Sequence, residues 1–433
     1  MPRLALPLLC LAFLAAPAAA QNYTIVDLGT LGGPTSQAHG INAKGWIVGE
    51  SLTKESQDHA FVYHDGQMFD IGVSGGMSIG YAVNDAGQTG GSFFRDHFQA
   101  FFASDKVSAI GTLGAAHSAS FAINSRGHVV GDSYTKDLRH HAFLWDGQAM
   151  HDLGTLGGLF SAARGVNAND MVVGYAYLPS GIFHAYAGGP SGLVDLGTLG
   201  GSCSAANAVN DAGAVCGYAY LEGNQRLHAC LWIGGKPRDL GALTGNASEA
   251  VALNGDASTV VGRAQVPSKT GALSYHAFVW SKGTMRDLND LVPAASGWVL
   301  EEATGVNDAG QIVGSGTYQG QRRAYLLEPG ASATAAASAL PTVLALASPL
   351  PNPASSSVRF SYGLPRDGRV SLRLIDASGR LVRDLAHEWQ PAGMHELTWN
   401  LANDGGRAVG SGVYYARLQL EGEAKTTTVQ VLR

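Results

Sequence analysis

Histidine recurs at one position of a repeated string, at His59, His141, His184, His228 and His276, with Gln99 and Arg323 in the two remaining copies. An imidazole in nearly every copy is a candidate for acid–base work or metal ligation. The spacing speaks against both, because equivalent positions of a ring of repeats lie around that ring and do not converge on one ion. A histidine once per copy has the profile of a structural hydrogen-bonding group, with the repeated Asp of "DLG" or a backbone group as its partner. The repeated Asn and Asp read the same way. His140 and His141 are adjacent, as are Glu301 and Glu302, and neighbours on a strand point to opposite faces. No G-x-S-x-G, H-E-x-x-H, P-loop or EF-hand string is present. No metal and no cofactor is expected, and the enzyme question stays open with the balance against it.

What differs among the copies is more informative than what recurs. The segments linking the second and third strands vary in length and content, and variable loops on a rigid scaffold are where function concentrates. They carry Tyr134, Lys136, Arg139, Tyr175, Tyr177, Tyr218, Tyr220, Arg226 and Tyr318. Aromatic and basic residues together suit a polysaccharide, an acidic polymer or a protein surface. The innermost strands add His39, Tyr81, Arg164 and Asn207 as channel-lining candidates, at a register shared with Phe121, Val251 and Thr304. The expectation is a non-catalytic binding or adhesion module. One alternative is an extracellular hydrolase or lyase acting on polysaccharide at the channel mouth through Arg164, His39 and Glu302. A second is a structural surface scaffold.

These side chains must be positioned by a repeat. "DLGTLGG" stands at Asp27–Gly33, Asp152–Gly158 and Asp195–Gly201, and a turn-initiating Asn recurs at Asn42, Asn84, Asn124, Asn167, Asn210, Asn254 and Asn307. One unit, Ser120–Gly154, divides into four short β-prone segments separated by Asn-, Asp- and Gly-rich turns. Four strands in about 40–50 residues is the signature of a propeller blade. The seventh copy lacks its fourth strand, and the spare copy, "YTIVDLG" at Tyr23–Gly29, stands at the front. The expected fold is therefore all-β: a seven-bladed β-propeller over 21–330 closed by an N-terminal strand, plus a C-terminal Ig-like β-sandwich. The strings His59-Ala60-Phe61, His141-Ala142-Phe143 and His276-Ala277-Phe278 resemble the HAF repeat family of extracellular proteins over roughly residues 23–330. That resemblance implies export and a repeat fold, and carries no activity.

Residues 1–20 have the basic start, apolar run and small-residue end of a signal peptide. Of the remaining cysteines, Cys216 and Cys230 replace apolar residues of other copies. They read as core thiols, with a Cys216–Cys230 bridge as the alternative. Residues 331–349 are rich in Ala and Pro and read as a linker. Beyond it the period is lost, and six alternating segments over 350–433 read as a sandwich with Trp399 in its core. Pro351-Asn352-Pro353, Gly379-Arg380, Trp399, Gly405 and Gly412-Val413-Tyr414 resemble the Ig-like C-terminal domains of the type IX secretion sorting and flagellar hook-capping kinds. The resemblance implies secretion machinery as a partner, and the outer surface or exterior of a Gram-negative bacterium as the location. Charged residues are 14% of the chain and the net charge is −6, which gives no footprint for nucleic acid. After residue 20 no stretch is long and apolar enough for a membrane-spanning helix.

Overall fold

The computed structural model describes residues 23–432 apart from 74, 268–272, 331–342, 348, 350, 356, 391 and 392. The signal-peptide segment lies outside the described residues. The chain divides into two units, at 1–330 and 331–433. Apart from two short 3-10 turns, the described elements are all strands.

In the first unit the described residues form seven four-stranded antiparallel sheets. Sheet one joins Gly32–Ile41, Ile47–Thr53, Asp58–His64 and Gln67–Asp70 in chain order. Five further sheets repeat this order over 77–109, 114–152, 161–195, 200–239 and 248–287. Sheet seven has three consecutive strands, Trp298–Val306, Ile312–Tyr318 and Gln321–Pro329, and takes its outer strand from Tyr23–Asp27. That strand runs antiparallel to its neighbour, from Tyr23 opposite Pro329 to Asp27 opposite Tyr325. Each sheet packs on the next, and sheet one packs on sheet seven. The order is that of a β-propeller.

The apolar cores lie between sheets. One unites Leu28, Ala38, Ile47 and Phe61 with Val313, Ala324 and Leu326 of sheet seven. Glycine makes the inner part of each sheet possible. In sheet three a Cβ on Gly131 would stand 1.9 Å from the Ala119 carbonyl oxygen, beside a bulge in the first strand pair. Gly49, Gly174, Gly217, Gly262 and Gly314 are equally crowded, which explains the repeated Gly of "VVG". In "TLGG" a Cβ on Gly33 would meet the backbone of Thr53 at 2.7 Å. The close approach is thus to the second strand of the same sheet, not to a neighbouring sheet.

Polar side chains staple the sheets together. Asn42 Nδ2 donates to the Asn84 carbonyl at 2.9 Å, Asn84 to Asn124 at 2.9 Å, Asn124 to Asn167 at 3.0 Å and Asn167 to Asn210 at 3.1 Å. Asn210 donates to Asn254 at 3.2 Å, and Asn307 returns to Asn42 at 3.1 Å. The turn after Asn254 is one residue longer, and there the Gly255 N–H donates to Asp308 Oδ1 at 2.7 Å instead. Buried serines add a second set, such as Ser161 Oγ accepting from the Ala142 N–H at 2.8 Å.

The recurring histidines find the partner their spacing suggests. Nδ1 of His59, His141, His184, His228 and His276 lies within 3.0 Å of Asp70, Asp152, Asp195, Asp239 and Asp287. The same Asp caps the following turn, as when Asp152 Oδ1 accepts from the Gly154 N–H at 2.8 Å. Sheet two has lost both members together, with Gln99 in one place and Ala109 in the other. At the closure, Arg323 donates to Asp27 at 2.9 Å.

Cys216 and Cys230 are free and buried. The bridge alternative fails on register: Cys216 stands opposite Leu231, and Cys230 opposite Gly217, so the two thiols point to opposite faces. Burial pushes the Cys230 thiol up to about 12.

The second unit packs a three-stranded sheet (Ala345–Leu346, Val358–Leu364, Gly393–Trp399) on a four-stranded one (Leu381–Gln390, Gly368–Asp376, Gly412–Leu420, Glu423–Val431). Trp399, Phe360, Leu372 and Leu418 are buried between them. Leu344 is buried in the same core, and the strand at Ala345–Leu346 pairs with Val358–Leu364. The stretch read as a linker therefore holds core residues of this unit.

Candidate binding site

The innermost strands carry His39, Tyr81, Phe121, Arg164, Asn207, Val251 and Thr304 at one shared register, one from each sheet, and all seven line a single cavity of about 420 Å³. Three residues further along each strand the Asn staples begin, and Asn42, Asn84, Asn124 and Asn167 line a second cavity of about 210 Å³. Ile41, Val83, Ile123, Val166, Val209, Leu253 and Val306 stand between the two registers, so the channel has an apolar throat.

The wider mouth is chemically divided. From sheets one to four runs an aromatic arc. His39 and Tyr81 have ring centroids 5.2 Å apart, and Tyr81 and Phe121 5.3 Å. The Arg164 guanidinium lies 4.3 Å from the Phe121 centroid and 5.8 Å from that of Tyr175. No carboxylate among the described residues is within ion-pair distance of Arg164. Burial pushes the Tyr81 phenol up to about 12, with Glu50 adding and Arg164 opposing. Tyr218 is likewise pushed up to about 12 by burial, with Glu249 adding. Both phenols are therefore available as hydrogen-bond donors at neutral pH.

From sheets six to one the mouth is charged and internally paired. Arg263 donates to Glu249 at 2.8 Å, and Asn207 Nδ2 to the other oxygen of Glu249 at 3.1 Å. Arg322 donates to Glu301 and Gln37 at 2.6 Å each, and to Glu302. The two adjacent acids thus meet on one guanidinium instead of pointing to opposite faces, because a bulge between Leu300 and Glu302 breaks the strand alternation. Gln37 Nε2 in turn donates to Glu50 at 2.6 Å, and His39 Nε2 lies 3.8 Å from that carboxylate. Glu302 is held by Arg322 and lies 4.0 Å from Arg263.

The loop residues separate into three groups. Tyr175 faces the mouth, its ring 5.8 Å from the Arg164 guanidinium, and Tyr218 holds the equivalent position of sheet five, after Gly217. Tyr134 packs on His140 at 4.0 Å, Tyr177 on Phe160 at 5.6 Å, and Tyr318 stacks on Trp298 at 4.8 Å, so these three rings serve packing within their own sheets. Tyr220 is half-buried, and Lys136, Arg139 and Arg226 are exposed. The charged arc was not read from the sequence. Its signal is the residue after the Gly of "VVG": Glu50, Ser92, Asp132, Tyr175, Tyr218, Arg263 and Ser315 vary as freely as the channel register beside them.

No protein-family model matches the chain, and no curated protein does. Among solved structures it is similar to PorZ, a surface component of the type IX secretion system of Porphyromonas gingivalis, at 11% identity and a TM-score of 0.26, covering 92% of this chain and 70% of that one. It is similar to the β-propeller domain of the trilobed protease of Pyrococcus furiosus at 9% identity and a TM-score of 0.34, covering 90% and 97%. A structure of YCF48 bound to D1 peptide gives 10% identity and a TM-score of 0.44, covering 74% and 99%. No helix of the described residues is long and apolar enough to cross a membrane.

Proposed function

We propose that the chain is an exported recognition module, in which a seven-bladed β-propeller over residues 23–330 binds a carboxylate-bearing polysaccharide at its wider channel mouth. The reading rests on one observation: the Arg164 guanidinium lies on the Phe121 face inside a cavity of about 420 Å³, with no carboxylate of the described residues to neutralise it. A guanidinium supplies paired donors for a carboxylate, and aromatic faces take up the apolar face of a sugar ring. Tyr81 and Tyr218 add phenol donors, and Asn207, whose amide N–H groups go to Glu249 and Ala250, adds a carbonyl acceptor. The acids of the opposite arc are engaged by Arg263 and Arg322, an arrangement that suits a fixed wall better than proton transfer. The second unit is proposed as an Ig-like delivery domain of the sorting type, on the strength of its Pro351-Asn352-Pro353 and Gly412-Val413-Tyr414 strings. The extracellular or outer-surface location follows from that proposal and the signal-peptide reading.

The test is a titration of the purified mature chain with polygalacturonate, alginate and neutral glucans, followed by mass analysis of each polymer. Saturable binding of the acidic polymers, with chains left intact and affinity reduced at least about tenfold by Arg164→Ala, is expected. Polymer breakdown, or equal binding by Arg164→Ala, overturns the reading.

A further inference from the structure

A second cluster lies in sheet three. None of its residues lines the cavity of about 420 Å³, although Asp132 holds the position that Tyr175 and Arg263 hold in sheets four and six. His117 on the first strand, Asp132 on the second and His140 on the third each offer one ligand atom, and these atoms all lie within 4.8 Å of one another. His140 Nδ1 is 2.9 Å from Asp132 Oδ2, and the Asp132 side chain is only 10% exposed. The His117 and His140 ring centroids are 5.6 Å apart. Phe98 and Tyr134 flank the pair, at 5.7 Å and 5.3 Å from the His117 ring.

The repeat shows why these residues meet. The same three positions carry different chemistry in other sheets, and the second and third meet in sheets four and six. In sheet four they are Phe160, Tyr175 and Phe183, with Tyr175 and Phe183 5.7 Å apart. In sheet six they are Ala247, Arg263 and Tyr275, with the guanidinium 5.3 Å from the phenol ring. Sheet one has Thr35, Glu50 and Asp58, sheet two Met77, Ser92 and Phe98, and sheet five Cys203, Tyr218 and Leu227. Sheet three alone among these six fills the triad with two imidazoles and a carboxylate. His141 does not belong to it, because it faces the other way, onto Asp152.

We propose that His117, Asp132 and His140 form a binding site for one divalent ion of the zinc class. Two nitrogen ligands and one oxygen suit zinc and its first-row neighbours and disfavour calcium or magnesium, which take oxygen sets. Tetrahedral coordination at about 2.0–2.2 Å needs ligand atoms about 3.3–3.6 Å apart, so small side-chain rotations close the site. Three strands of one sheet hold the ligands, and three protein ligands leave a fourth position for water or a group of a bound molecule. The site does not depend on the channel-mouth reading, since it shares no residue with the carboxylate pocket.

The experiment is equilibrium dialysis of the chelator-stripped mature chain against ZnCl₂, with Co²⁺ absorption as a probe of ligand geometry. One equivalent of zinc, tetrahedral-type Co²⁺ bands and a raised Tm are expected. His117→Ala and Asp132→Asn should each weaken zinc binding by at least about tenfold, while Cys203→Ser and His151→Ala retain it. His117 is only half-buried, so its variant reports on the site even if Asp132→Asn fails to fold. No stoichiometric zinc, zinc retained in His117→Ala, or preference for Ca²⁺ over Zn²⁺ overturns the proposal.

Discussion

Each repeated asparagine except Asn254 does two things at once, and the second explains why Asp does not replace it. Its Oδ1 accepts from backbone N–H groups of its own turn, as Asn124 does from Arg126 and His128 at 3.0 Å. Aspartate could do that too. Its Nδ2 donates to the next sheet, and an ionised carboxylate has no proton to give. Asn124 is the sharpest case, because its Nδ2 also donates to Asp170 Oδ1 at 2.8 Å. Asn124→Asp should therefore lose a staple and set two carboxylates face to face. We expect a cost of about 1–3 kcal/mol, read as a drop of several degrees in Tm at pH 7. Lowering the pH should narrow the gap from wild type, because a protonated Asp regains a donor. An unchanged Tm at pH 7 would show that the staple is ornamental. The thiols offer a second check at this scale. Cys216 and Cys230 are buried and burial raises both, so native protein should react with a thiol reagent at Cys203 alone, with the other two appearing only on unfolding.

At the scale of elements, the strand at Tyr23–Asp27 has the greatest leverage, since it completes sheet seven from the opposite end of the first unit. Deleting Tyr23–Gly29 removes five paired residues and the Asp27–Arg323 ion pair, and leaves the strand Gln321–Pro329 as an open edge. A loss on the order of 3–5 kcal/mol follows from the hydrogen bonds alone, and an open edge recruits another chain. Thermal unfolding should shift down and light scattering should report association, with a synthetic Tyr23–Gly33 peptide reversing both. A monomer with wild-type Tm would contradict strand closure. This closure was legible in the sequence because it is a matter of counting: seven copies of three segments, six following copies of the fourth, and a spare at the front. The triad His117, Asp132 and His140 was not legible, because its members hold variable positions beside the repeated motifs, Asp132 after "VVG" and His140 before His141-Ala142-Phe143, and meet only through cross-strand register. Testing adjacent pairs such as His140-His141 could not find it. The reading of 331–349 as a linker failed in part for a related reason: Ala and Pro content says nothing about where Leu344 finds a core.

For the whole molecule, the net charge of −6 bears directly on the proposed ligand. An acidic protein repels an acidic polymer at long range, so general electrostatic steering cannot explain its capture. The attraction has to be local, and at the wider mouth Arg164 is a cation that the described carboxylates leave unpaired, whereas Arg263 and Arg322 are matched within the ring. The closed ring supports this division. Sheets that lean on both neighbours hold an aromatic arc opposite a salt-bridged arc, so a sugar ring can stack on one side while the other stays occupied by its own pairs. Raising NaCl from about 0.05 M to about 0.5 M shortens the screening length severalfold and acts on two opposed terms: it weakens the long-range repulsion and the Arg164 contact together. Wild-type affinity for polygalacturonate should therefore change little with salt. Arg164→Ala leaves only the repulsion, so its residual binding should strengthen as salt rises. A steep fall in wild-type affinity with salt would instead point to a basic surface such as Lys136, Arg139 and Arg226, and would move the ligand from the channel mouth to the loops.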